Sequence, residues 1–218
     1  MFSPEDRERL RRRLLDRAEA DPRLPAAAVT GSRAEGREDR WSDIDLFFGV
    51  QGPLAAVVAD WTAFAYTDLG ALHHFELHSS PATYRAFLLA DGLQVDLGFT
   101  PQEHFGPVGD GAFDVVSGIA GPRRPTPPDV GFLVGMGWHH VLHVRSAIER
   151  DRPWRAEHWL AALRDVVLGL ASIRHGLPHT YARSADDLPP EVTDALRHTL
   201  VADLEPATLA AALTAAVR

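Results

Sequence analysis

The stretch GSRAEGREDRWSDIDLFF, residues 31–48, decides how the first half of this chain folds. Its apolar end predicts a buried strand, but aspartates occupy two of the strand's positions, Asp43 and Asp45. Side chains two residues apart on a strand face the same side of a sheet. The two aspartates are therefore predicted to project together, while Ile44 and Leu46 face the opposite side and pack in the core.

A third aspartate lies in a similar apolar pattern further along the chain. In LQVDLGF, residues 93–99, Asp96 alternates with Val95 and Leu97. If this strand pairs beside the first, three carboxylates converge on one face. Two such charges about 4 Å apart repel by roughly 4 kcal/mol at an effective dielectric constant near 20. Either one carboxyl is protonated or a cation is shared, and oxygen ligands favour Mg²⁺ or Mn²⁺ over zinc.

A glycine and a serine precede the first two aspartates. Gly31 and Ser32 are separated from Asp43 by ten residues. Glycine allows a phosphate to approach the backbone closely. Ser32 adds a hydroxyl group and is predicted to cap a short helix, ending near Asp39, whose free N–H groups face an anion. The sequence therefore predicts a phosphate-binding turn beside the carboxylates.

The composition is that of a globular protein and excludes several kinds of site. The chain has 218 residues, of which 45% are hydrophobic and 24% charged, and its net charge is −8. This charge argues against a general affinity for nucleic acid. The chain has no cysteine and no lysine, which excludes thiolate metal sites, a cysteine nucleophile and a P-loop lysine. It has no apolar stretch long enough to cross a membrane, and we expect a cytoplasmic enzyme.

The first part of the chain mixes helix and strand patterns. Ser3, Pro4 and Asp6 predict a capped helix ending near Ala20, and the arginine run 11–13 is expected on its solvated face. Alternating or apolar stretches predict strands at PAAAV, SDIDLFFGV and ALHHFELHS, and a hairpin turns at Asp-Gly in TYRAFLLADGLQVDLGF. A further helix is predicted from Leu54 to about Tyr66, between SDIDLFFGV and ALHHFELHS.

The remainder changes character after residue 105. Residues 106–128 are rich in glycine and proline and are predicted to be a linker, with a short strand at FDVVSG. From residue 129 onward helix patterns dominate, with segments predicted at 130–149, 155–175, 191–201 and 206–217. The sequence thus predicts an α+β fold: a mixed-sheet domain at 1–105, a linker, and an all-α helical bundle at 129–218.

The spacing Gly-Ser, ten residues, Asp-x-Asp and a later strand-borne Asp resembles the nucleotidyltransferase superfamily of DNA polymerase beta. The stretch 31–48 most resembles the small bacterial antibiotic nucleotidyltransferases, whose known branch includes aminoglycoside and lincosamide adenylyltransferases. The resemblance covers about residues 26–99, and beyond residue 128 it is only architectural. One departure is Thr30, where the family usually has an apolar residue. The resemblance implies a nucleotidyltransferase-fold domain followed by a helical acceptor-binding domain.

The resemblance also implies a role for each matching residue. Gly31 and Ser32 would hold the β- and γ-phosphates of a nucleoside triphosphate. Asp43, Asp45 and Asp96 would bind two Mg²⁺ ions, and Asp96 would also accept the proton of the acceptor hydroxyl. The product would be a nucleotidylated small molecule, with AMP from ATP as the expected group and an aminoglycoside-like antibiotic as one acceptor. The arginines at 33, 37 and 40 are candidates to offset triphosphate charge.

Three further residues are weaker candidates for the acceptor site. Glu76 lies on a predicted strand and is either an additional catalytic base or a partly exposed strand residue. His139 shares a helix face with His143, four residues on, and either lines the cleft toward the first domain, binds a metal, or packs or lies on the surface. Asp165 is either an acceptor contact or one member of an ion pair.

Other functions remain open from the sequence. Relatives of the superfamily also transfer nucleotides to proteins or RNA, and a chain with this fold can act as a nucleotide-binding module without catalysis. The retained aspartates argue against a module, and the acidic composition argues against an RNA substrate. The acceptor, the preferred nucleobase and the oligomeric state are left undetermined by the sequence.

Overall fold

A computed structural model describes residues 2–109 and 111–218. Contacts divide the chain into two compact units, residues 1–126 and 127–218. The first unit contains the helices α1 (Pro4–Ala20), α2 (Gly31–Ala34) and α3 (Leu54–Thr67). Its strands are β1 (Ala26–Val29), β2 (Ile44–Val50), β3 (Ala71–Ser79), β4 (Ala82–Leu89), β5 (Gln94–Pro101) and β6 (Asp114–Ser117). The second unit contains α4 (Val130–Glu149), α5 (Pro153–Arg174), α6 (Pro190–Arg197) and α7 (Pro206–Ala216).

The strands form one sheet in the order β3-β4-β5-β2-β1-β6. β2 and β5 run parallel at its centre, and the remaining neighbours pair antiparallel. The sheet is therefore mixed, and an all-helical unit follows it along the chain. This arrangement confirms the predicted α+β class.

One face of the sheet packs against α1 and α3 to form the main core. Ile44, Leu46 and Phe48 of β2 are fully or almost fully buried there. Phe48 lies 5.1 Å from Trp61 of α3 and 5.4 Å from Phe99 of β5, measured between ring centroids. The predicted alternation along β2 is confirmed, because these side chains face away from Asp45.

The opposite face carries a smaller apolar cluster. Phe47 of β2 packs with Ala26 and Ala28 of β1 and is covered by Phe105 and Phe113. The segment expected to be a linker thus contributes to this unit. Residues 114–117 form β6 and pair with β1 at the edge of the sheet.

Local signals at the chain's start are confirmed in part. Ser3 and Asp6 form a reciprocal capping box at the start of α1, as predicted. The arginine run on α1 is not wholly solvated, because the Arg11 side chain is only 4% exposed and is ion-paired with Glu38. The neighbouring Arg12 is 71% exposed, as expected.

The short helix after β1 differs from its prediction. It begins at Gly31, with Thr30 and not Ser32 at the N-cap, and it ends at Ala34. Gly36 follows the C-cap with a φ of +68°, the left-handed conformation that commonly ends a helix. The chain from there to Asp43 is a loop with a turn at residues 40–41.

The second unit has its own small core. Val144 of α4, Leu160 of α5 and Ala212 of α7 are buried together. The predicted segments match α4, α5 and α7 closely, and α6 ends at Arg197, earlier than expected. None of the helices in residues 2–109 and 111–218 combines the length and apolarity needed to span a membrane.

Candidate functional site

The three predicted aspartates meet at the centre of the sheet. Asp43 immediately precedes β2, Asp45 is the second residue of β2, and Asp96 is the third residue of β5. The parallel register places Asp45 directly opposite Asp96. Each of the three offers a carboxylate oxygen within 4.8 Å of the others, and all three side chains are half-buried. We call these residues the carboxylate cluster.

The electrostatics of the carboxylate cluster favour a cation. Burial, together with the negative charge of Asp43, raises the pKa of Asp96 to about 6. A hydrogen bond opposes this shift, because the Gln94 amide donates to both Asp96 oxygens at 3.0 Å. A divalent cation would remove the repulsion that disfavours the charged form. Clustered carboxylates without sulfur ligands fit Mg²⁺ or Mn²⁺.

Gly31 lies against the carboxylate cluster and cannot be replaced without disturbing it. Its φ is +62°, and a Cβ atom added there would lie 2.0 Å from Oδ2 of Asp45. The preceding residue, Thr30, donates its backbone N–H to the Asp45 carbonyl oxygen at 3.1 Å. Ser32 follows Gly31 and is half-buried in α2. The structure therefore brings the predicted Gly-Ser turn next to the metal-binding strand.

Buried arginines that the sequence analysis missed hold the loop between the turn and the cluster. Arg7 of α1 is 4% exposed and donates hydrogen bonds to the carbonyl oxygens of Asp39 and Ser42 at 2.6 and 2.8 Å. Arg7 and Arg11 both pair with Glu38, which lies in the same loop. Their position on the buried side of α1, four residues apart, was a signal for this role. These contacts fix the chain that leads into Asp43.

The arginines predicted to contact a triphosphate are mostly exposed. Arg33 is 55% exposed and reaches Glu38 at 3.4 Å. The Arg37 guanidinium donates to Glu35. Arg40 lies in the loop with its guanidinium 4.3 Å from the centroid of the Trp41 ring. All of these contacts are on or near the surface and leave the guanidinium groups accessible to an anion.

Glu76 is not part of the carboxylate cluster. In the strand register, Glu76 of β3 is opposite Arg85 of β4, and Arg85 is opposite Leu97 of β5, whose side chain is in the main core. Glu76 thus lies on the other face of the sheet from Asp96. Its carboxylate is engaged there by Arg85 at 2.6 Å and by His78 at 2.7 Å. The structure separates Glu76 from the carboxylate cluster, because neighbouring residues along a strand face opposite sides of the sheet and Phe75, not Glu76, is on the face of Asp96. Glu76 is therefore the partly exposed strand residue of the other interpretation and not an additional catalytic base.

The remaining acceptor candidates lie in the second unit. His139 Nε2 is 3.1 Å from Nε2 of His143, one turn along α4, and the His143 ring stacks on Trp159 at 4.6 Å. Asp165 is exposed on α5, whereas the guanidinium of its neighbour Arg164 donates hydrogen bonds to the hydroxyl and carbonyl oxygens of Thr199. The described residues supply no third ligand that would complete a metal site at the histidines.

Comparisons with known proteins give a distant structural likeness. No protein-family model and no curated protein sequence matches the chain. Solved structures do match it, among them an aminoglycoside 6-adenyltransferase from Bacillus subtilis at 14% sequence identity and a TM-score of 0.39. That alignment covers 99% of this chain and 86% of the other. The function proposed below therefore rests on the geometry of the site.

Proposed function

We propose that the chain is a divalent-metal-dependent nucleotidyltransferase that moves a nucleoside monophosphate, AMP from ATP, to the hydroxyl group of a small molecule and releases pyrophosphate. The observation that carries the proposal is the carboxylate cluster, built on two parallel neighbouring strands with Gly31 packed against Asp45. The Gly-Ser turn and the Asp-x-Asp spacing, with their resemblance to nucleotidyltransferases, support it.

Asp43, Asp45 and Asp96 would hold the Mg²⁺ ions. Bound there, the ions would neutralise the phosphate oxygens and the leaving pyrophosphate. Gly31 and Ser32 would hold the β- and γ-phosphates, and the guanidinium groups of the adjoining loop would offset their charge. The second unit, residues 127–218, would contribute to the choice of acceptor.

Asp96 would act as the base. It would accept the proton from the acceptor hydroxyl as that oxygen bonds to the α-phosphorus and the bond to the pyrophosphate oxygen breaks. Its half-buried side chain lies beside Asp43 and Asp45, and the Gln94 amide donates to both of its oxygens, which orients the carboxylate at the cluster for this role.

A pyrophosphate-release assay tests the proposal. Purified protein is given each nucleoside triphosphate with Mg²⁺ or Mn²⁺ and a panel of hydroxyl compounds that includes aminoglycosides. We expect metal-dependent release with the wild type, and a fall of about 10²–10⁴-fold in Asp96→Asn. Asp16→Asn, an exposed aspartate on α1, is the matched control and should keep full activity.

A different outcome would favour a nucleotide-binding module without catalysis. In that case calorimetry would show ATP binding that requires Mg²⁺ and is lost in Asp45→Asn, but no acceptor on the panel would elicit pyrophosphate release. Transfer to protein or RNA would instead appear as labelling of macromolecules from α-labelled ATP.

A further inference from the structure

Exposed apolar side chains continue the face that bears the carboxylate cluster. Across the sheet, Asp45 is paired with Asp96, Asp96 with Ala86 of β4, and Ala86 with Phe75 of β3. Phe75 is 51% exposed. Paired residues lie on the same face of a sheet, so Phe75 shares its face with the two aspartates.

Two leucines extend this apolar surface. Leu77 follows Phe75 by two residues on β3 and is 54% exposed, and Leu88 lies on β4 opposite Gln94 and is 47% exposed. Gln94 in turn donates to Asp96. We call Phe75, Leu77 and Leu88 the apolar platform. Contiguous exposed apolar side chains beside a polar site are typical of a ligand-binding surface.

The platform lies within reach of a small molecule bound at the cluster. Neighbouring strands are spaced by about 4.8 Å, so Phe75, two strands from Asp96, lies roughly 10 Å away across the sheet. Leu88 is closer, because its strand is adjacent to β5. One drug-sized molecule can present a hydroxyl group at Asp96 and cover these side chains.

The direction of attack places the acceptor on this side. In the proposed function, on which this direction rests, the Gly31–Ser32 turn holds the leaving pyrophosphate. That turn follows β1, on one side of β2, whereas the platform lies on β3 and β4, beyond β5 on the other side. In-line displacement brings the attacking oxygen from the side opposite the leaving group. The hydroxyl therefore approaches from the direction of the platform.

The charges on this side do not suit a polycation. None of the side chains of β3 and β4 that alternate onto the cluster's face is acidic: these are His73, Phe75, Leu77 and Ser79 on one strand and Ala82, Tyr84, Ala86 and Leu88 on the other. The acid of β3, Glu76, is on the other face and already paired with Arg85. A ligand with several ammonium groups would meet apolar surface here.

We propose that the acceptor is a hydroxyl compound carrying an alkyl or aryl group, and that this group packs on the apolar platform while the hydroxyl meets Asp96. The platform is thus a specificity determinant of the proposed transfer reaction. It selects against polycationic, fully hydrophilic acceptors such as aminoglycosides.

Binding measurements test this proposal without depending on turnover. Hexyl and methyl β-glucoside share one set of hydroxyl groups and differ in their apolar part, and kanamycin serves as the polycation. Each is titrated by calorimetry with and without Mg²⁺ and a non-hydrolysable ATP analogue. The wild type is compared with Phe75→Ser/Leu77→Ser, with Leu88→Ser as a second variant, and with Val116→Ser as the matched control. Val116 lies on the opposite edge strand, β6, and is also 51% exposed.

The expected result is a preference of the wild type for hexyl over methyl glucoside of about tenfold, from burial of roughly 50 Å² of apolar surface. The double variant should lose this preference and still bind the nucleotide analogue, which shows that it is folded. Val116→Ser should behave like the wild type.

Several results would overturn the proposal. Equal binding of the two glucosides by the wild type, or tighter binding of kanamycin, would show that the platform does not select an apolar acceptor. Weaker nucleotide binding in the double variant would assign the platform to the nucleobase. A wild-type dimer that this variant converts to a monomer, measured by light scattering, would assign it to a second copy of the chain. Absence of metal-dependent nucleotide binding in the wild type would instead refute the proposed function. The platform would still be tested in that case, because the glucoside titrations without nucleotide report on it alone.

Discussion

Replacing Gly31 by alanine should weaken the binding of a divalent metal ion at the carboxylate cluster. The φ of +62° at this position costs an alanine about 1–2 kcal/mol in folding free energy. The new Cβ atom would lie 2.0 Å from Oδ2 of Asp45, and ordinary contact begins at 3.4 Å. The Asp45 oxygen must therefore retreat by roughly 1.4 Å, far more than the ~0.2 Å that a Mg²⁺ ligand distance tolerates.

Gly36→Ala separates the two effects. Its φ of +68° imposes a similar backbone cost, but nothing lies within 4 Å of the added Cβ atom. Unfolding in urea without metal should show Gly36→Ala destabilised by about 1–2 kcal/mol, and Gly31→Ala by at least as much, because its Cβ atom also displaces Asp45. With Mn²⁺ at ten times its dissociation constant, the wild type and Gly36→Ala should gain about 1.4 kcal/mol, and Gly31→Ala less than half of that.

An equal gain of stability from the metal in Gly31→Ala and Gly36→Ala would refute this prediction. Such a result would mean that Asp45 is not a metal ligand or that the Gly31 backbone moves away without consequence. A crystal structure of the variant would then show which of the two applies.

Two further predictions concern the pH dependence of stability and the loop that Arg7 holds through Asp39 and Ser42. The pKa of Asp96 is raised from 3.8 to about 6 in the folded chain without metal. Between these pH values the native state therefore holds a proton that the unfolded chain has lost. The free energy of unfolding consequently falls as pH rises from about 4 to about 6. Asp96→Asn should lose this part of the slope in urea unfolding with EDTA, and equal slopes in both proteins would contradict it. Arg7→Met should lower stability by about 1.5–3 kcal/mol, because the carbonyl oxygens of Asp39 and Ser42 lose a buried charged donor, and should speed amide exchange at residues 39–42. The exposed Arg12→Met should change neither, and a comparable effect there would contradict the tethering role.

Much of the fold and part of the candidate site could be predicted because their causes are local. The capping box of Ser3 and Asp6 and the Asp91-Gly92 hairpin depend on residues a few positions apart. The short helix at Gly31 is shorter than the sequence predicts, because the chain turns at Gly36, whose φ is positive, directly after the C-cap.

Errors occurred where a residue's environment is set by distant parts of the chain. Arg11 is part of a charged run and was expected in solvent, but α1 packs over the loop that carries Glu38. Glu76 was an acceptable candidate base until the pairing of β3 with β4 placed it on the other face. A shift of one residue in register would have reversed that outcome, because side chains alternate along a strand.

The sequence by itself determined that Asp43 and Asp45 share one face of a strand, because alternation along an extended chain requires nothing beyond the strand. Only the tertiary structure decided that Asp96 joins them. That contact depends on β5 pairing in parallel with β2 in a register that sets Asp96 opposite Asp45, across fifty-one residues. The tertiary structure also decided that the apolar platform faces the same side, since backbone pairing across β3, β4 and β5 is a non-local property that no short stretch encodes.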